Sequence, residues 1–277
     1  QDGWTRRSIA GLRYDQAQYA EEPGSTAPPA LPADRKLTYP YLRIEAIQDD
    51  FQTTRNLNLI ARTEDLQFGT RYALELGWAS TAYGSDRDAA ILRAEASHGF
   101  RLRGGRSLFL TGALQSRVES GSAQDALLSG ELRFYRQTSP RSTFFTSLTG
   151  QVGHNLDADH ELVLGGEDGL RGYPLRYQTG DGRALLTVEQ RIYTKRSLWK
   201  IADIGGAVFF DMGRTWGNSA FGPTESQGLL KDIGFGLRLG NSRSALGNVL
   251  HLDIAFPLDG DSTISEVQFL VRTKRTF

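Results

Sequence analysis

Phe68-Gly69-Thr70-Arg71-Tyr72-Ala73-Leu74-Glu75-Leu76-Gly77-Trp78 places its apolar residues mainly at even positions and sets Arg71 and Glu75 at odd ones. Successive side chains of a strand point to opposite faces, so this spacing builds one greasy face and one charged face. The same period recurs along most of the chain. Leu92, Ala94 and Ala96 oppose Arg93 and Glu95, while Leu128, Gly130, Leu132 and Phe134 oppose Ser129, Glu131, Arg133 and Tyr135. Leu250, Leu252, Ile254 and Phe256 oppose His251, Asp253 and Ala255 in the same way. Few stretches carry the 3.6-residue spacing of a helix, so the chain reads as all-β.

Composition bounds what such a chain can do. At 277 residues it is long enough to enclose a substantial interior. It has no cysteine, which excludes a disulfide framework and thiol chemistry and suits passage through an oxidising compartment. Its 32 basic and 32 acidic residues cancel, so no bulk field favours nucleic acid, and any charge-based function depends on local placement. The mean hydropathy is negative and no long apolar run exists, which excludes a transmembrane helix. No signal peptide opens the chain, so one is expected to be absent or already removed. A transmembrane barrel hides its lipid face in every second residue and also reads as polar on average, so membrane location stays open at this point.

Alternation alone fits a soluble sandwich and a membrane barrel equally. Three details favour the barrel. Runs such as 107–116 and 202–216 reach or exceed the roughly 9–11 residues that a tilted strand needs to cross a bilayer. Trp4, Trp78, Trp199 and Trp216 lie near run ends, where an interfacial belt places aromatics. Connections alternate in length: 101–105, 138–141 and 195–198 are short, whereas 21–36, 156–182 and 217–227 are long. Segment 49–66 is the exception, since it falls on the short-turn side yet is long. The runs are 4–14, 40–49, 67–78, 90–102, 107–118, 126–136, 142–154, 183–194, 200–216, 229–240, 248–258 and 266–277. They predict an antiparallel transmembrane β-barrel of about twelve strands, an even number as bacterial single-chain barrels have, with 1–277 as a single domain. Both termini then lie on the short-turn side.

Between two of these runs lies Leu164-Gly165-Gly166-Glu167-Asp168-Gly169-Leu170-Arg171-Gly172-Tyr173, a glycine-rich segment with one arginine. A loop carrying a single fixed cation needs an anionic receptor, and the next two runs offer Glu189 and Asp211. Parity sends both inward: Ala184, Leu186, Val188 and Ile192 take the lipid side of one run, and Ile204, Val208, Phe210 and Met212 that of the next. A guanidinium can satisfy two carboxylates through its fork of donors. The plainer alternative makes Glu189 and Asp211 members of a generally charged, wet wall with Arg43, Glu45, Arg71, Glu75, Arg93, Glu95, Asp232, Arg238 and Arg272.

Gly165-Gly166, Leu170-Arg171-Gly172-Tyr173, an inward Glu189 and Phe209-Phe210-Asp211-Met212-Gly213 with Trp216 together resemble the BamA/TamA outer-membrane assembly family and its two-partner-secretion relatives. The resemblance is clearest over 162–277, and five runs follow the loop here as in the family. It implies that loop 155–182 folds into the lumen, with Gly165, Gly166, Leu170, Arg171, Gly172 and Tyr173 as its latch and Glu189 and Asp211 as wall partners. The last run closes on an aromatic, and Phe269, Val271 and Phe277 resemble the signal read by the outer-membrane assembly machinery. Family barrels have about sixteen strands and follow periplasmic docking domains, whereas this chain shows fewer runs and no such domain ahead of Trp4. The upstream strands are therefore expected to be absent or cut away.

The resemblance implies a bacterial outer-membrane protein that takes part in inserting or translocating polypeptides. Its partners would be the lipid bilayer and lipopolysaccharide, the assembly machinery and a client barrel or secreted polypeptide. No cofactor, metal or nucleic acid is implied. The alternative is a passive pore or membrane anchor for an upstream domain. An outer-membrane phospholipase is disfavoured, because outward His98 and outward Ser116 fall at opposite rims of neighbouring runs, too far apart to hydrogen-bond. His154 and His160 flank Asp157, Asp159 and Glu161 without a diagnostic metal-ligand spacing.

Overall fold

A computed structural model describes residues 3–20, 31–219, 228–241, 248–260 and 262–274. Its strands are β1 (Trp4–Ala17), β2 (Arg35–Gln48), β3 (Phe51–Arg55), β4 (Thr63–Gln67), β5 (Arg71–Ala79), β6 (Ala89–Leu102), β7 (Arg106–Glu119) and β8 (Ser122–Ser139). They continue with β9 (Ser142–His154), β10 (Leu162–Leu164), β11 (Gln178–Gly180), β12 (Gly182–Leu198), β13 (Ala202–Trp216), β14 (Leu230–Asn241), β15 (Val249–Pro257) and β16 (Gln268–Lys274). Among the described residues no helix is long and apolar enough to cross a membrane.

Twelve strands form one antiparallel sheet in the order β1-β2-β5-β6-β7-β8-β9-β12-β13-β14-β15-β16. Every expected run supplies one of them, and β3–β4 and β10–β11 are additional two-stranded sheets. β1 and β16 are the two edges of the row, so among the described residues no ladder joins them and the barrel carries a seam there. Trp4 pairs with Gln48 and Lys274 with Val249, which puts both of these strand ends on the short-turn side.

The distribution of side chains is the reverse of a soluble sandwich. Leu128, Leu148, Val208, Phe235 and Phe269 are exposed, while Glu75, Glu189, Asp211 and Asp253 are buried. Charge turned inward and apolar surface turned outward is stable only where the outer solvent is hydrocarbon. Trp4 and Trp199 lie toward the short-turn end and Trp78 and Trp216 toward the long-loop end, as the ordering of their strands requires. Phe269 and Val271 face outward at 75% and 65% exposure; Phe277 lies outside the described residues.

Two expected boundaries change. The gap left between the expected runs 107–118 and 126–136 closes, because β7 and β8 extend to a two-residue turn, Ser120-Gly121, with φ of 50° and 84°. Positive φ at both positions gives the primed turn whose twist matches the flanking strands. The expected strand 67–78 begins only at Arg71. Phe68, read as one of its outward residues, is buried and packs against Phe109 at a ring-centroid distance of 5.0 Å. The reason is that 51–67 forms its own hairpin, β3 against β4, and the chain changes face at Gly69-Thr70 before entering the barrel wall.

That hairpin explains the long segment on the short-turn side. It folds back into the lumen, where Leu57 and Ile60 are buried. Leu57 packs with Tyr135 and Phe145, and Ile60 with Tyr193 and Val249. Its tip is held internally by Glu64, whose carboxylate accepts from the backbone N–H of Leu57, Asn58 and Leu59 at 2.9–3.1 Å.

The inside-out arrangement yields a test. Leu148 faces lipid between Leu132 and Leu186 at mid-height. Leu148→Arg should cost about 2–4 kcal/mol in bilayer-embedded protein, the penalty for a cation at the membrane midplane. Urea unfolding in liposomes measures it, and an unchanged midpoint would contradict the assigned lipid face.

Candidate functional site in the lumen

The glycine-rich segment enters the barrel because its backbone can take bends that other sequences resist. Gly165 and Gly166 have φ of 126° and 58°, in the region where a Cβ is penalised. Beyond them the chain turns so that Leu170 and Tyr173 bury with Leu164, Leu230 and Ile264. This apolar cluster seats the loop, and Arg171 then projects toward the wall. Gly172 passes so close that a Cβ there would lie 2.6 Å from the Cβ of Asp232 and 2.9 Å from the Pro257 nitrogen.

Arg171 meets both expected acids. Its Nε and Nη2 donate to the two Asp211 oxygens at 2.6 and 3.0 Å, and its Nη1 donates to Glu189 Oε1 at 2.8 Å. The guanidinium also lies over the Phe209 ring, 3.4 Å from its centroid. Strand register delivers these contacts, because β12 and β13 pair Glu189 with Phe209 and Thr187 with Asp211. Thr187 Oγ1 donates to Asp211 Oδ1 at 2.8 Å and fixes that carboxylate for the arginine fork.

The site is larger than that trio. Asp253 lies 3.6 Å from Arg171 Nη1 and pairs with Arg238 at 2.5 Å and Arg272 at 3.2 Å. Glu189 Oε2 accepts from Arg191 Nε at 2.9 Å. Asp232 accepts from the Gly172 N–H at 3.0 Å, and Tyr173 Oη donates to the Lys231 carbonyl at 2.9 Å. Sequence parity places Asp232, Arg238 and Arg272 on the wall, but their convergence on the loop depends on curvature that parity does not contain. The wall here is not wet: Glu189, Asp211, Asp253, Arg171, Arg191 and Arg238 are all buried.

A second set of contacts ties the loop base across the long-loop mouth. Arg35 on β2 pairs with Asp157 at 2.6 Å and Asp159 at 3.1 Å, and Arg117 on β7 pairs with Asp157 at 2.8 Å. His160 Nδ1 lies 2.9 Å from both oxygens of Asp125 on β8. Asp125, Asp157 and His160 could be brought onto one ion, but Arg35 and Arg117 already neutralise this cluster. The hydrogen bond that protonated His160 donates to Asp125 raises the His160 pKa above its usual 6.5, reinforced by Asp159 and opposed by burial and Arg35.

His98 and Ser116 stay apart. His98 registers with Leu110 and bonds Thr70 Oγ1 at 2.9 Å, while Ser116 registers with Leu92, about 20 Å farther along the strand.

Comparison with known proteins finds no matching family model and no matching curated protein. Among solved structures, CdiB from Escherichia coli superposes with a TM-score of 0.54 and 16% identity, covering 98% of this chain and 49% of that one. BamA from Haemophilus ducreyi lacking POTRA domains 1-3 gives a TM-score of 0.38 at 10% identity, covering 99% and 71%. The chain thus spans about half the length of the CdiB chain. At 16% identity the likeness to CdiB is one of fold.

Two outcomes follow from these contacts. Arg171→Ala leaves buried carboxylates without their cation and should destabilise the barrel by about 3–5 kcal/mol while exposing 162–173 to protease. Arg171→Lys keeps the charge but loses the fork, and should fall between the two. Heat-modified migration on gels reads stability, and proteolytic nicking reads the loop. The His160 contact gives a pH effect of definite sign. Its raised folded pKa means that its contribution is fully present below about pH 6.5 and is lost as pH rises through the folded value. Hydrogen exchange at 155–161 should therefore speed up between mildly acidic and alkaline pH beyond its intrinsic rise, and His160→Gln should remove that excess.

Proposed function

We propose that this chain is an outer-membrane barrel of the BamA/TamA and two-partner-secretion type that takes part in inserting or translocating polypeptides. The observation that carries the reading is Arg171, held inside the lumen on Glu189 and Asp211 by a loop that folds in from the long-loop side. This is the arrangement that the resembled family uses. The residues Gly165, Gly166, Leu170, Gly172 and Tyr173 act as positioning residues: they bend, seat and fit the loop so that its cation reaches the wall.

The seam supports an insertion role in particular. Among the described residues β1 and β16 are the sheet's edges, and in a bilayer the unpaired backbone groups of an edge have no water to satisfy them. A client strand added to such an edge supplies the missing hydrogen bonds, which favours capture of a folding β-strand at the lipid boundary. Charge inside the lumen comes from both arginines and carboxylates, so the lining presents neither sign alone to a passing polypeptide.

The partners on this reading are the bilayer with its lipopolysaccharide, the assembly machinery that inserts this barrel, and a client barrel or secreted chain. Reconstitution tests it. Liposomes containing the protein should accelerate folding of a small unfolded outer-membrane barrel relative to empty liposomes, and Arg171→Ala should reduce the gain. Steady ion conductance with no acceleration would instead identify a passive pore and overturn the proposal.

A further inference from the structure

The wall grips the hairpin of β3 and β4 through side chains and also through a row of backbone carbonyls. Asn58 Oδ1 accepts from Tyr135 Oη and Arg191 Nη1 at 3.2 Å each, and Asn56 Nδ2 donates to the Pro140 carbonyl at 2.9 Å. The carbonyl of Arg55 accepts from Gln137 Nε2 on β8 at 3.1 Å, and that of Asn56 from Thr143 Oγ1 on β9 at 2.7 Å. The carbonyl of Leu57 accepts from both Arg191 Nη1 and Tyr193 Oη on β12, at 2.8 and 2.9 Å. β8, β9 and β12 are neighbours in the sheet, so three successive carbonyls are read by three successive strands. A row of donors aimed at carbonyls recognises a polypeptide as such, whatever its side chains.

Two side-chain pockets accompany the row. Leu57 enters an aromatic pocket of Tyr135 and Phe145, flanked by Phe109. Ile60 packs against Tyr193 and Val249 and over Gly205 and Gly240, where a Cβ would approach Ile60 to 3.2 and 3.1 Å. Open space adjoins the grip on both sides. A cavity of about 340 Å³ lies beside Asn58 and Leu66 against Arg71 and Tyr135. Another, of about 1110 Å³, lies at the short-turn mouth between Arg55 and Asn56 of the hairpin and Gln137 and Thr194 of the wall.

We propose that Gln137, Thr143, Arg191 and Tyr193, with the two apolar pockets, form a polypeptide-binding track in the short-turn half of the lumen, which the chain's own residues 55–60 fill at rest. Its ligand is an unfolded polypeptide segment with apolar side chains about three residues apart, arriving from the short-turn side. The hairpin is then a resident stand-in for the client, displaced when one arrives. This rests on the polypeptide-handling reading above and deepens it by naming where the client is held. Arg191 links the track to the Arg171 site, because it binds the Leu57 carbonyl with Nη1 and Glu189 with Nε.

Binding in detergent tests the track without requiring insertion activity. The full chain carrying Leu57→Gly and Ile60→Gly has a weakened resident segment and intact wall donors. A fluorescent synthetic peptide with the sequence of residues 51–67 should bind this variant at least about tenfold more tightly than it binds the unmodified chain. Adding Thr143→Val and Tyr193→Phe should weaken that binding about tenfold or more, the effect of losing two hydrogen bonds to the backbone. A scrambled peptide that keeps the apolar spacing should bind within about threefold of the original.

Peptide binding that ignores the Thr143 and Tyr193 substitutions would overturn the proposal. So would absence of binding to a loosened chain that retains barrel circular dichroism and heat-modified migration. If that variant does not fold, a photo-crosslinking residue at position 137 of the otherwise unmodified chain serves instead. Its crosslinks should pass from the hairpin to the peptide as peptide is added, and crosslinks that stay on the hairpin at every concentration overturn the track. Peptide binding without accelerated client folding would defeat the insertion reading alone, so the two failures are separable.

Discussion

Glu189 places a carboxylate at 2% exposure near the middle of the barrel, where removing an ion from water costs several kcal/mol unless other groups replace the lost hydration. Arg171 supplies one replacement from the long-loop side and Arg191 another from the neighbouring position on the same face of β12. Arg171 in turn commits Asp211, and Arg238 and Arg272 commit Asp253. Each ion is tolerable because the next is present. The loop is therefore a required member of a charge set that has no stable partial form, and a lumen lined this way selects for the glycine-rich segment that completes it.

The hydrocarbon outside explains why the charge is inside. Apolar side chains on the outer face gain nothing by turning inward, since lipid serves them as well as a core would. The interior must then be filled by something other than a conventional core. Here two insertions fill it from opposite ends. The loop brings Leu164, Leu170 and Tyr173 against Leu230, and the hairpin brings Leu57 and Ile60 against Tyr135, Phe145 and Tyr193. The apolar clusters that fill the lumen from its two ends are contacts between wall and insertion.

This division also sets what the sequence revealed. Strand positions were legible because period-two alternation directly records lipid on one side and charge on the other, and each of the expected runs supplies a wall strand. Inward Glu189 and Asp211 followed from the same parity. The hairpin was not legible, because its tip presents Leu57 and Ile60 to aromatic wall residues instead of to lipid, and Phe68 likewise packs on Phe109. An apolar residue facing a lumen plug has the signature of one facing the bilayer. The participation of Asp253 and Asp232 was hidden for another reason: residues far apart in the chain converge only when the sheet curves, and alternation carries no information about curvature.

The two insertions differ in how firmly they are held. Arg171 is bound by charge-assisted contacts to two buried carboxylates, a class worth about 1.5–3 kcal/mol each, and leaving would strand those charges. The hairpin is held largely by neutral hydrogen bonds on its carbonyls and on the Asn56 and Asn58 side chains, at about 0.5–1.5 kcal/mol each, and by two aliphatic side chains. Its charged contacts come from Arg101, which donates to Gln52, and from Arg191, which donates to the Leu57 carbonyl and Asn58 and keeps Glu189 when the hairpin departs. Withdrawal of the hairpin leaves the ion pairs of Glu189, Asp211 and Asp253 in place, whereas withdrawal of the loop takes Arg171 from Glu189 and Asp211. The interior can thus open from the short-turn side first, with Arg171 still fixed and the wall still neutral, so occlusion at one end is separable from the charge set that holds the barrel together.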